Sequence, residues 1–194
     1  RSKAARRFAR GVAAGLVSQK PRSRQRVENS ARRRVAREVL AGSPWLGFIP
    51  KDRGFALADP SLLPGAQEAL DAARTIIETA PKEGYKIRKS NPFFELETPQ
   101  FLRDYPALMN FALSDAVLHI VTDYFGLVPQ MKELGIWVTP PQDHQFSSQL
   151  YHLDKPEGRL VKLFMNISPT DEDAGALTFL PADVSEKVRR KTNY

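Results

Sequence analysis

Residues 148–184 read SQLYHLDKPEGRLVKLFMNISPTDEDAGALTFLPADV. Short runs rich in Leu, Val, Ile, Phe and Tyr alternate with clusters of Pro, Gly and Asp, the pattern of short strands separated by turns. If 147–154 is a strand, His152 and Asp154 point the same way, because successive side chains of a strand alternate faces. An imidazole nitrogen and a carboxylate oxygen at that spacing can meet one metal, and the pair suits Fe(II), Mn or Zn. In the next run Lys162, Phe164 and Asn166 alternate with Val161, Leu163, Met165 and Ile167. The second set is an ordinary apolar face. The first puts a lysine and an amide in mid-strand, which requires a solvent face or a polar cavity. A lone His-x-Asp is a weak motif, and Lys162 with Asn166 alone reads as an exposed sheet face. Only their adjacency points to a site.

Upstream the texture is helical. NSARRRVAREVLAG (29–42) reads as a helix capped by Asn29 or Ser30, with Gly42 just past its end. FALAD (55–59) is a short strand candidate. PGAQEALDAARTIIETA (64–80) places Ala69, Leu70, Ala73, Ile76, Ile77 and Ala80 at helical spacing, between Pro64–Gly65 and Pro81. Residues 82–99 read as loop with strand pieces. The stretch 98–126 predicts two helices, broken at Pro106 or recapped at Ser114 and ended by Gly126. After Gly126 come the strand-rich runs, beginning with LGIWVTPP (134–141). Helices first and strands afterwards predict an α+β fold with an antiparallel sheet.

A chain of 194 residues is long enough for one domain with a real core. It has no cysteine, which excludes disulfides, thiolate metal sites and cysteine nucleophiles. It has no apolar run of membrane-spanning length. The expectation is a soluble protein, cytoplasmic or organellar. Charge divides the sequence. Residues 1–40 hold 13 of the 29 Lys and Arg but two of the 22 acids, so the remainder holds 16 bases against 20 acids. A basic arm, placed at residues 1–27, thus precedes a mildly acidic body at 28–194. Such an arm can dock on an acidic surface, either nucleic acid or membrane, can be the remainder of an organellar presequence, or can be a solvated tail. Phe8 is its one aromatic residue, so stacking on single-stranded bases finds no support.

The stretch 148–184 resembles the core of the phytanoyl-CoA dioxygenase family, a branch of the Fe(II)/2-oxoglutarate oxygenases. Three features carry the resemblance: His-x-Asp at the end of a strand, a following strand with the acidic turn SPTDEDAG, and the segment with Gly175, Leu177 and Pro181. The opening RGFALADPSLLPGAQEALDAARTIIE (53–78) is similar to the family's strand-then-helix start. The resemblance implies a double-stranded β-helix, or jelly roll, with flanking N-terminal helices. It implies Fe(II) on His152 and Asp154 as two members of a 2-His-1-carboxylate triad, with 2-oxoglutarate as co-substrate. It implies that Lys162, Phe164 and Asn166 line the co-substrate pocket, and that Trp137, Gln149 and Tyr151 contact a small organic or lipid-like substrate.

The sequence departs from the family in one respect. The family's distal histidine, and an arginine for the far carboxylate of 2-oxoglutarate, lie downstream of His-x-Asp. Here His119 and His144 both precede His152. The expectation is therefore a member whose last strands are absent, or one that no longer binds iron. The alternative class is a non-catalytic jelly-roll interaction protein whose basic arm docks to an acidic partner.

Overall fold

The structure, a computed structural model, describes residues 22–79, 94–96, 103–139, 149–152, 160–171 and 176–192. Its first element, α1, spans Arg22–Val39. It starts well before the Asn29–Ser30 cap expected from sequence, because the preceding arginines are good helix formers. The boundary drawn at residue 27 falls inside it. Ala36 of α1 is buried. The Arg32 side chain ties the helix down, its Nε donating to the Val128 carbonyl at 2.8 Å.

Among the described residues FALAD forms no ladder. Asp59 then caps a short 3-10 turn at Pro60–Leu62, its carboxylate accepting from the Ser61 amide at 2.9 Å. Helix α2 spans Ala66–Thr79 and buries Ala66 and, of the expected stripe, Ala69, Leu70, Ala73 and Ile76; Ile77 is half-buried and Ala80 lies outside the described residues. Helix α3 (Pro106–Ala112) and helix α4 (Asp115–Phe125) follow as expected. Pro106 opens α3, where a missing N–H costs nothing. The Ser114 hydroxyl accepts from Val117 N and caps α4. Gly126 ends α4 at φ 69°, a left-handed conformation that favours glycine.

Strands β1 (Phe94–Leu96) and β2 (Ile136–Val138) pair antiparallel, with Leu96 opposite Ile136. Those two residues join Leu63, Ala66, Ala69, Ala73, Ile76, Leu108, Phe111, Ala116 and Ile120 in one hydrophobic core. The last helix, α5 (Ala182–Thr192), buries no residue. Its first amide donates to the Arg53 carbonyl at 2.8 Å, and Phe179 just before it stacks on Phe55 with centroids 5.6 Å apart. Residues 53–55 and 179–182 are thereby held together. Among the described residues this ladder is the sheet, and no helix is long and apolar enough to cross a membrane.

Two buried residues make opposite contributions. Ile76 is fully enclosed by the core. Thr122 is equally enclosed, yet its hydroxyl finds no hydrogen-bond partner among the described residues. Ile76→Ala is expected to lower unfolding free energy by about 2–5 kcal/mol. Thr122→Val removes an unsatisfied polar atom and is expected to raise it by about 1 kcal/mol. Urea denaturation measures both, and a destabilised Thr122→Val would mean that the hydroxyl is satisfied in solution.

On α5, Glu186 accepts from Arg189 at 2.8 Å and from Arg190 at 2.8 Å. These hydrogen bonds, Arg189 first, lower the Glu186 carboxyl from its ordinary 4.5 to about 2. A lowered folded value stabilises the helix fully above 4.5, and that contribution is lost as pH falls toward about 2. A carboxyl NMR titration should place the midpoint near 2, and Arg189→Gln with Arg190→Gln should return it toward 4.5. A midpoint at the ordinary value in the parent chain would contradict the pairing.

Candidate functional site

Residues 149–151 turn and bend, and His152 follows directly. This part of the expected strand is therefore not a strand. The cause is local: His152 Nδ1 lies 2.7 Å from the Leu150 carbonyl oxygen, two residues back. A side chain that bonds its own neighbouring backbone competes with a ladder. The contact also fixes the ring chemistry. A carbonyl oxygen can only accept, so Nδ1 carries the proton and, in the neutral ring, Nε2 carries the lone pair. A backbone carbonyl on one ring nitrogen is the usual way a protein orients a histidine for metal binding through the other. His152 is exposed, as is Tyr151, and Gln149 is half-buried. Asp154 and His144 lie outside the described residues.

The strand expected at 160–167 is not formed among the described residues: 160–166 have no regular secondary structure and Ile167 lies in a bend. Met165 and Ile167 pack against the core. Lys162, Phe164 and Asn166 are exposed on the other side. Leu163 breaks the pattern: it is expected on the apolar face but is 51% exposed. The inward packing of Met165 and Ile167 sets which way the polar set faces. Arg74 on α2 anchors the end of the run, its Nε donating to the Ile167 carbonyl at 3.3 Å. Sequence reading missed this tether, because an arginine on an exposed helix face carries no mark of a backbone partner 93 residues away.

Trp137 lies on β2 between buried Ile136 and half-buried Val138 and is 43% exposed. His119 sits on α4, half-buried, with Nδ1 covered and unpartnered among the described residues. Among those residues no three His, Asp or Glu side chains gather into a group able to hold a metal.

Comparison with family models, with curated proteins and with solved structures found no match to this chain.

The tautomer is directly measurable. At a pH where the ring is neutral, the nitrogen chemical shifts of His152 are expected to show a protonated Nδ1 and an unprotonated Nε2. The reverse assignment would remove the local bond to Leu150, and with it the reason for the bend.

Proposed function

We propose that residues 28–194 belong to an Fe(II)/2-oxoglutarate-dependent oxygenase of the phytanoyl-CoA dioxygenase kind, acting on a small organic or lipid-like substrate. The observation that supports this reading is the 2.7 Å contact between His152 Nδ1 and the Leu150 carbonyl, which orients the ring as proteins commonly orient a metal-binding histidine. His152 and Asp154 would hold the iron. When bound, iron with 2-oxoglutarate and O₂ supplies the oxidising power for C–H hydroxylation, with release of succinate and CO₂. Lys162 presents a point charge suited to a carboxylate of the co-substrate. Asn166 offers an amide donor, and Phe164 an apolar surface. Trp137, Gln149 and Tyr151 are the proposed substrate contacts. The α+β jelly roll is proposed with this function; the packing of Met165 and Ile167 against the core, with Lys162 and Asn166 exposed, is what supports it.

Coordination arithmetic sets the expected activity. His152 and Asp154 supply two ligands, and no histidine follows them in these 194 residues. Iron should therefore be held loosely. The chain is expected to bind Mn(II) weakly, with binding abolished by His152→Ala and by Asp154→Ala. It is expected to release little or no succinate with Fe(II), 2-oxoglutarate and ascorbate until a downstream segment carrying a histidine is supplied. Robust turnover lost on His152→Ala would mean that another residue, such as His144, completes the triad. Metal binding indifferent to His152→Ala would contradict the proposed site.

A further inference from the structure

Helix α1 carries seven arginines and two glutamates between Arg22 and Val39. Its docking divides them. Ala36 is buried, and Asn29, Arg32 and Val39 are half-buried, at the three- and four-residue spacing of one helix face. That face meets the loop after α4: the Val128 amide donates to the Arg32 carbonyl at 3.4 Å, and Gln130 donates to Glu28 at 3.1 Å. Arg26, Ser30, Arg33 and Arg37 fall at i, i+4, i+7 and i+11 and form a second stripe, exposed along its length, with Arg34 exposed beside it. The docked face thus holds a row of guanidinium groups outward.

The two basic helices differ in how their charges are met. On α5, Lys187, Arg189 and Arg190 each reach a carboxylate on their own helix. On α1, Arg26, Arg33, Arg34 and Arg37 form no ion pair among the described residues. Arg33 with Arg37, and Arg34 with Arg37, are like charges at helical contact spacing, which oppose each other when nothing neutralises them. A ligand of repeating negative charge removes that opposition.

We propose that this stripe binds the phosphate backbone of a nucleic-acid duplex. Arg26 and Arg33 are separated by about 10 Å along the helix and Arg33 and Arg37 by about 6 Å. These are two to three base steps at about 3.4 Å each along a strand. The guanidinium fork matches phosphate oxygens bidentately, which lysine does not. A single strand would call for aromatic platforms, and the exposed face of α1 has none. A membrane-surface helix would present Trp, Phe or Leu, whereas the exposed apolar residues here are Val27, Ala31 and Val35. Contacts confined to phosphates carry affinity without base specificity.

The test is fluorescence anisotropy of a labelled DNA duplex with the full chain, from 50 to 200 mM NaCl. Binding is expected to weaken steeply with salt, by a log–log slope of about 0.9 per phosphate engaged. The triple variant Arg26→Gln, Arg33→Gln, Arg37→Gln should reduce that slope by about 2–3 and weaken low-salt affinity at least tenfold. A charge-matched triple variant at exposed positions elsewhere, Lys51→Gln, Arg103→Gln, Lys132→Gln, should keep the slope. Any contribution from residues 1–21 is common to both variants and cancels. Arg→Lys at the three stripe positions keeps the charge and the slope, and circular dichroism checks that each variant is helical. Equal slopes in the two Gln variants would overturn the proposal, since binding would then follow overall charge. Salt-insensitive binding would overturn it too, as would binding to phosphatidylserine vesicles with none to the duplex.

Discussion

The stripe of Ala66, Ala69, Ala73 and Ile76 along α2 is the constraint on which the described structure depends. Three alanines leave room for close approach, and Ile76 fills the space they open. Leu108 and Phe111 of α3, Ile120 of α4 and the Leu96–Ile136 pair of the ladder all meet this stripe in a single core. Met165 and Ile167 close on the same core, so the helix that organises the fold also orients the run carrying Lys162, Phe164 and Asn166. The Arg74 bond to the Ile167 carbonyl comes from the exposed side of that helix and fixes where the run ends.

His152 is positioned differently. It lies exposed beyond a bend, and its orientation comes from a bond to its own chain two residues back. A run anchored to the core at Met165 and Ile167 and a locally braced histidine make a division of labour. The first is set by many small packing contacts and is rigid. The second includes a hydrogen bond of the ring to its own backbone. A metal bound at Nε2 would in turn strengthen the Nδ1 donor, because withdrawing electron density from the ring polarises the remaining N–H.

How much could be read in advance follows from the range of each signal. The α2 stripe, the Ser114 cap and the Gly126 stop were legible because each is encoded within a few residues. The strand at 160–167 was legible only in part: Met165 and Ile167 meet the core, but Leu163 is exposed and no strand forms among the described residues. The start of α1 was misjudged, because Asn29 and Ser30 look like caps while the arginines before them favour helix more strongly than a cap terminates it. FALAD was misread as a strand, because the Asp59–Ser61 cap and the Phe55–Phe179 stack determine its path, and the stack is a contact between distant residues. The bend before His152 was missed because a histidine side chain bonding its own backbone leaves no periodic trace. The Asp154 half of the candidate pair lies outside the described residues, so its placement on the histidine's side is a proposal.

The most direct measurement is a crystal structure of the chain soaked with Zn(II), a redox-inert stand-in for iron, with the metal located by its anomalous scattering. The expected result is a zinc ion about 2.0–2.1 Å from His152 Nε2, with Nδ1 still donating to the Leu150 carbonyl and Asp154 as the second protein ligand. Zinc bound through Nδ1, or zinc bound elsewhere with His152 uncoordinated, would contradict it.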